Sequence, residues 1–374
     1  MKAYQRFPTL IFVICFLISA CSNDSQTPTS TPPIDVTQAA TPGTDITPIP
    51  LKVGYGVKGS WFELYFTDPA SPFSSQITGG VDGPLSDAID SARLSIDVAI
   101  YSLSLDSIRY ALINAHKRGV QVRMVMESDN MKDSDPRALI DAGISIVGDK
   151  RRGLMHDKFM VVDRREVWTG SMNYTNSGGY EDNNNLIRIN SDKVATDYTK
   201  EFEEMFLDNK FGPDVVPETP FPDVTLDGTQ LQIYFSPDDK VLSRLLPLLN
   251  NAKHSIYFLA FSFTTNELGD AVRAKAAEGL KVKGVMDADQ VKSNAGTEYD
   301  PFLQAGVDVR KDGNKGLMHH KVMIIDGAIV VLGSYNFTAS AETRNDENIV
   351  IIYNKTIAEQ FMQEFERVWA QVPK

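Results

Sequence analysis

Two segments in the first half of the chain read as buried strands. Leu94–Leu103 (LSIDVAIYSL) and Val120–Met126 (VQVRMVM) are short, rich in β-formers and apolar on both faces. Between them Ile108, Ala111, Leu112 and Ala115 recur at the i, i+3, i+4, i+7 spacing of an amphipathic helix. Gly119 follows, where the end of a helix favours a left-handed residue. The same series returns further on. His254–Phe263 (HSIYFLAFSF) and Leu280–Met286 (LKVKGVM) match the two strands at an offset of 160, and Gly279 repeats Gly119. Glu63–Pro69 (ELYFTDP) is echoed by Gln232–Pro237 (QIYFSP). After a slightly longer loop, Gly153–His156 (GLMH) matches Gly316–His319 (GLMH) at an offset of 163.

The body is therefore written twice, in units of about 150 residues, near the usual domain size. Strand alternates with helix in each unit. The expected fold class is α/β: two duplicated lobes, each a mixed β-sheet flanked by helices, spanning residues 51–215 and 229–374. Trp61, Phe62, Tyr65 and Phe66 fit a core strand. His254 stands where the first copy has Leu94 and is expected to pack, whereas His116, near the end of its helix, is expected at the surface.

The amino-terminal 50 residues lie outside this pattern. Lys2 and Arg6 precede an apolar run from Phe7 to Ala20, too short for a spanning helix of about 20 residues, so residues 1–20 read as a secretory signal. Cys21, directly after Ile18-Ser19-Ala20, resembles the lipid-acceptor position of a bacterial lipoprotein signal. That resemblance implies cleavage before Cys21, lipidation of it, and an extracytoplasmic protein anchored to a bacterial membrane. Residues 21–50 are rich in Thr and Pro, have no aromatic residue and are expected to be a disordered tether. Cys15 is the only other cysteine, so the processed protein would have no free thiol, which excludes a catalytic Cys and a Cys-based zinc site. Taking two bases (Lys2, Arg6) and three acids (Asp24, Asp35, Asp45) from totals of 37 and 49 leaves a body with 35 bases and 46 acids. A net charge of −11 suits a general nucleic-acid binder poorly.

The chemistry sits in a motif that is also duplicated. His156-Asp-Lys158-Phe-Met-Val-Val-Asp163 is followed by Gly170-Ser171-Met-Asn173. His319-His-Lys321-Val-Met-Ile-Ile-Asp326 is followed by Gly333-Ser334-Tyr-Asn336. On a strand, alternate side chains share a face, so His156 pairs with Lys158 and His319 with Lys321. Asp163 and Asp326 fall on the opposite parity and are expected to be structural, salt-bridged or hydrogen-bonded behind the site. By the same parity His320 faces away from His319 and is expected to pack. Two imidazoles about one phosphorus permit a two-step, in-line displacement, one attacking while the other protonates the leaving oxygen and then activates water. Lys158 and Lys321 supply positive charge for the non-bridging oxygens, and Asn173 and Asn336 supply amide donors. Ser171 and Ser334 add hydroxyl donors or orient the imidazoles. No cofactor is expected and no metal-ligand cluster is visible.

The paired motifs resemble those of the phospholipase D superfamily, over the chain from about residue 55 to its end. The resemblance implies that the two motifs meet at the lobe interface, and that a phosphodiester is cleaved without metal through a phosphohistidine. It also implies a carboxylate orienting a catalytic histidine, the place of Glu347 in Asn345-Asp-Glu-Asn348. The first copy has Asn184 there, within Asp182-Asn-Asn-Asn185, so the halves are unequal. Family precedent makes His156 the nucleophile and His319 the general acid; a neutral amide at 184 argues the other way, because it supports an imidazolium less well.

Three readings of function stand. The first is hydrolysis of membrane phospholipids to phosphatidic acid and free head group, favoured by the lipid anchor and the acidic body. The second is a non-specific nuclease, favoured by the compactness of the halves, and the third a non-catalytic phosphate-binding protein, suggested by Asn184. A phosphatidyl transferase of the cardiolipin synthase type is disfavoured, since its usual pair of amino-terminal spanning helices is not seen. Lys150, Arg151 and Arg152 before the first motif, and Arg310, Lys311 and Lys315 before the second, are expected to form a basic rim. The loops at 127–137 and 287–301 are expected to shape substrate choice. With both motifs in one chain, a monomer is expected.

Overall fold

The computed structural model describes Met1 and residues 45–372. The expected signal segment, Cys21 and the tether as far as residue 44 lie outside the described residues.

The first lobe is built on nine strands: β1 (Thr47–Ile49), β2 (Tyr55–Lys58), β3 (Phe62–Phe66), β4 (Ser95–Ile100), β5 (Gln121–Met126), β6 (Ser145–Gly148), β7 (Lys158–Val162), β8 (Glu166–Gly170) and β9 (Asn185–Asn190). Its helices are α1 (Asp82–Ser91), α2 (Asp106–Lys117), α3 (Ser134–Asp141), α4 (Asn176–Tyr180) and α5 (Asp192–Phe206). The second lobe has β10 (Asp223–Leu226), β11 (Thr229–Ser236), β12 (Ser255–Ala260), β13 (Lys281–Met286), β14 (Asp308–Lys311), β15 (Lys321–Ile325), β16 (Ile329–Gly333) and β17 (Glu347–Tyr353). Its helices are α6 (Val241–Asn251), α7 (Asn266–Ala277), α8 (Ala288–Ser293), α9 (Tyr299–Gln304), α10 (Ala339–Thr343) and α11 (Lys355–Ala370).

The two sheets share one topology. The orders β3-β9-β8-β7-β4-β5-β6 and β11-β17-β16-β15-β12-β13-β14 correspond strand for strand. In each, the three strands that follow one another through helical crossovers are parallel and the rest antiparallel. The expected duplicated α/β fold with two mixed sheets is what the structure shows. Helix α2 buries Ile108, Ala111, Leu112 and Ala115, the face its spacing predicts. Gly119 and Gly279 close the equivalent helices at φ +93° and +91°, where a Cβ would be strained.

Both sheets rest on one shared core. The apolar faces of α5 (Val194, Tyr198, Phe202) and α11 (Ile357, Phe361, Phe365) pack with Phe159 and Ile187 from one sheet and Val322, Ile324 and Ile352 from the other. Tyr198 of the first lobe meets Phe235 of the second edge to face, and Phe66 meets Phe361 in the same way. Both lobes accordingly belong to one compact unit. Ser191 and Asn354 cap the two central helices by accepting the N–H of Val194 and Ile357. Trp61, Phe62, Tyr65 and Phe66 are buried as expected.

Two expectations need correction. The last residues of the expected tether are not disordered: Thr47–Ile49 pair with Gly56–Lys58 as an edge strand, where Pro48 is tolerated. His254 does not pack; it is exposed, as is its counterpart Leu94 at 70%. Both stand just before their strands, so the repeat there preserves backbone position and not burial.

Candidate active site

Strands β7 and β15 carry the motif lysines on their first residues, with the motif histidines two positions earlier. His156, Lys158, His319 and Lys321 are all buried. The segments leading into the two motifs cross between lobes. Met155 bridges Asp346 and Met318 bridges Asn183 in parallel, the His156 N–H donates to the Asp346 carbonyl (3.0 Å), and the His319 N–H donates to the Asn183 carbonyl (3.0 Å). Each motif is thus docked against the segment that carries the other lobe's residue 347 or 184.

That crossing decides which group orients which imidazole. His156 Nδ1 lies 2.8 Å from Glu347 Oε2, and His319 Nδ1 lies 3.0 Å from Asn184 Oδ1. The carboxylate therefore serves the histidine of the opposite copy. An amide at 184 does not weaken support for His156, and the argument against His156 as nucleophile loses its basis. The Asn184 Nδ2 donates to the Gly178 carbonyl (2.9 Å), which turns its oxygen towards His319. Asn184 Oδ1 can only accept, so His319 donates its Nδ1–H and its neutral ring keeps Nε2 unprotonated; Glu347 sets the same tautomer in His156 once it is ionised.

The serines act through these partners. Ser171 Oγ donates to Asn184 Oδ1 (2.8 Å) and accepts the Asn185 N–H (3.1 Å); Ser334 Oγ accepts the Asn348 N–H (3.0 Å) and hydrogen-bonds Glu347. Of the two roles open to them, the geometry gives orientation. Asn173 and Asn336 differ: their carboxamide oxygens are buried and meet no donor. Neither amide is pinned by its oxygen, and each can turn an N–H towards a phosphate.

The lysines make the site cationic. Lys158 Nζ donates to the His156 carbonyl and Lys321 Nζ to the His319 carbonyl, both at 2.7 Å. Burial pulls the Lys158 ammonium down to about 8 and that of Lys321 well below the usual lysine range. The same burial, with the charges of both lysines, depresses both imidazoles, so the two motifs lie close enough to act on each other. Glu347 is pushed up to about 8 by burial, while Lys158, Ser334 and Asn345 pull it back. An anion between the lysines would favour the charged forms of both lysines and both imidazoles again.

The motif aspartates stay outside the chemistry, in a way parity alone did not describe. Asp163 and Asp326 leave their strands at φ +51° and +53°. Asp163 accepts the N–H groups of Arg93, Leu94 and Ser95, and Asp326 those of Lys253, His254 and Ser255. Each carboxylate anchors the start of the neighbouring strand by backbone bonds, with no salt bridge among the described residues. His320 does face away, but it is a polar junction more than packing: it accepts from Asn185 Nδ2 (2.8 Å) and donates to Glu364 (2.7 Å).

Several site residues were not found in the sequence. Tyr101 and Phe261, equivalent positions just past β4 and β12, set their rings edge-on to His156 and His319 at 5.2 and 4.6 Å. The same rings lie 5.3 Å from Lys158 Nζ and 4.6 Å from Lys321 Nζ. Their shared aromatic character within the repeated strands was the available signal. Glu127 and Asp287 are likewise equivalent, accepting the N–H of Met155 and Met318 (both 3.0 Å). The expected basic rim is reduced, because Arg151 pairs with Asp346 and Arg310 lies over the Trp369 ring. Among the described residues, no group of three or more His, Cys, Asp or Glu could hold a metal ion, and no helix is long and apolar enough to cross a membrane.

The family model described as cardiolipin synthase, PLD-like domain matches residues 85–206 and again 245–369. A mitochondrial cardiolipin hydrolase of Xenopus tropicalis is 38% identical over 133 residues, 36% of this chain and 63% of that protein. A phospholipase D of Rickettsia prowazekii is 31% identical over 138 residues, 37% of this chain and 67% of that protein. The chain thus spans about two thirds of the length of these relatives, and only 52% in the human cardiolipin hydrolase. In fold, it is similar to the phosphatidylserine synthase of Haemophilus influenzae at a TM-score of 0.58 and 14% identity, covering 82% of this chain and 85% of that one.

Proposed function

The chain belongs to the family of cardiolipin synthase, PLD-like domains, and from that premise we propose that it hydrolyses phospholipids to phosphatidic acid and a free head group. One observation carries the reading: two buried lysines and two imidazoles from opposite lobes converge on one place, with a single carboxylate, Glu347, against His156. Such a site is built for an anion flanked by two proton-transfer groups. Lipid as the substrate is supported by the cardiolipin hydrolase and phospholipase D names of relatives and by the acidic body, which suits nucleic acid poorly.

In this mechanism His156 Nε2 attacks phosphorus, the bond to the head-group oxygen breaks, and His319 gives that oxygen its proton. Burial and the lysine charges hold His319 neutral; the anionic substrate offsets those charges, so binding loads the acid. His319 then takes a proton from water, the resulting hydroxide displaces His156 from phosphorus, and phosphatidic acid leaves. Glu347 steadies the positive charge that forms on the His156 ring. Lys158, Lys321, Asn173 and Asn336 hold the non-bridging oxygens. We extend the proposal to lipidation at Cys21, which would keep the enzyme at a bacterial membrane outside the cytoplasm; loss of detergent-phase partitioning in Cys21→Ser tests it.

The deciding assay is head-group release from phospholipid vesicles in EDTA, with plasmid DNA alongside. Release that disappears in both His156→Ala and His319→Ala is expected. Nicked DNA with untouched vesicles would replace the lipid reading with a nuclease, and full activity in either variant would refute a shared site.

A further inference from the structure

The lobes differ most where β3 and β11 hand over to the next helix. In the second lobe four residues, Pro237-Asp-Asp-Lys240, connect β11 to α6, and three are charged. In the first lobe the connection, residues 67–81, is far longer; its one charge is Asp68, and the thirteen residues that follow, Pro69–Val81 (PASPFSSQITGGV), contain none. At the chain's 23% charged content, about three would be expected there.

This uncharged stretch exposes large apolar side chains. Phe73 and Ile77 are 44% and 45% exposed, at either end of the short helical turn Ser74–Gln76. Ile77 is left-handed, at φ +48°, a conformation that favours glycine or asparagine and penalises a β-branched residue. Neither its exposure nor its backbone makes folding easier, so the isoleucine answers to something other than the folded core.

Two lysines flank the pair. Lys52 Nζ lies 5.1 Å from the Phe73 ring centre and bonds the neutral Gln76. Lys315, exposed, lines a groove of about 690 Å³ together with Ile77, Pro69 and the exposed acid Glu181. Glu181 and Gly316, which line the groove, each stand three residues before a site residue, Asn184 and His319. The Asn314 amide donates to the Glu181 carbonyl (2.8 Å) and the Leu317 N–H to Asp182 (2.8 Å), so its walls run within a few residues into Asn184 and His319.

We propose that Pro69–Val81 and the Gly313–Gly316 turn form a docking surface for an anionic phospholipid bilayer, with Phe73 and Ile77 entering the acyl boundary and Lys52 and Lys315 meeting head-group phosphates. Apolar side chains at the tip with lysines beside them are the arrangement by which a surface element lies in a membrane interface, the lysine stems buried and their charges at phosphate level. The inference rests on the phospholipid reading above, and it brings the bilayer to the His319 side of the site, where the head group leaves.

The test places Phe73→Trp in the full chain and adds vesicles of phosphatidylglycerol and phosphatidylcholine. The added emission is expected to shift to shorter wavelength and to be quenched by lipids brominated in their acyl chains. Emission that keeps its solvent wavelength and escapes quenching overturns the proposal. A second measurement uses Phe73→Ser with Ile77→Ser. Vesicle hydrolysis is expected to fall about tenfold or more, while hydrolysis of soluble bis(para-nitrophenyl) phosphate stays within about twofold. Equal loss on both substrates, or no loss on vesicles, also overturns it. Should the parent cleave neither substrate, the catalytic reading fails, while the quenching result still decides the docking surface.

Discussion

Glu347→Gln is the substitution that separates the crossed arrangement from its alternatives. It keeps shape and a hydrogen-bond acceptor for His156 Nδ1 but removes the charge 2.8 Å away. As His156 bonds to phosphorus, its ring becomes positive, roughly 4 Å from the carboxylate centre. At an effective dielectric of about 20 that attraction is about 4 kcal/mol. At about 1.4 kcal/mol per decade, its loss predicts a fall in kcat of about 10³-fold, with KM little changed. The fold should tolerate the change, because burial already holds Glu347 near the neutral form, at about 8. The pH profile adds a second readout. Activity in the parent should rise as Glu347 ionises and fall as Lys158 loses its proton, both near pH 8, giving a narrow bell. Glu347→Gln should lose the rising limb. A rapid-quench experiment with a labelled diester assigns the step: Glu347→Gln should slow formation of the phosphohistidine, and His319→Ala should let it accumulate when the leaving group is good. A fall in kcat below about tenfold, or slowed formation in Asn184→Ala but not in Glu347→Gln, would refute the crossed pairing.

Other consequences follow from the same geometry. Burial raises Asp157 and Asp238 to about 7 and Asp346 and Glu347 to about 8, so between about pH 6.5 and 8, above the range in which the depressed His156 and His319 act the opposite way, these groups hold protons in the folded state that the unfolded chain has released. Stability should therefore fall as pH rises through that window, and a melting temperature that climbs towards pH 8 would contradict it. Asp163→Ala strips the acceptor from three backbone N–H groups and should lower stability by about 1–3 kcal/mol in denaturant titration, with kcat changed far less than in Glu347→Gln. Ile77→Gly relieves a left-handed isoleucine and should raise stability by about 0.5–1 kcal/mol while weakening vesicle hydrolysis; a loss of stability would refute the strain argument.

Much of the fold was legible because it is written twice. The paired strands, the α2 spacing and the glycines at 119 and 279 each repeat, and repetition turns a weak local signal into a firm one. Strand parity separated His156 and Lys158 from Asp163. It could not foresee that Asp163 ends its strand in a left-handed turn and bonds the backbone, since parity presumes a regular strand. The link from Glu347 to His156 was hidden for a different reason. It spans 191 residues and depends on how two similar lobes face each other, which aligned copies do not encode. The same limit hid Arg151, whose charge is taken up by Asp346 of the other lobe. His254 misled because aligned positions were assumed to share burial, when here they share only a place on the backbone.

The exchange of orienting groups between lobes also bears on how such a chain can change over generations. A symmetric pair of identical copies would carry the same residue at both orienting positions, so replacing the carboxylate would damage both histidines at once. Joining the copies in one chain removes that coupling. One lobe can then keep a glutamate for one imidazole while the other accepts an asparagine for its partner, as Glu347 and Asn184 do. Each lobe nevertheless holds the part its neighbour needs, so neither can be lost or replaced independently. Duplication has given this protein two histidines free to specialise, and the crossing ensures that they do so only together.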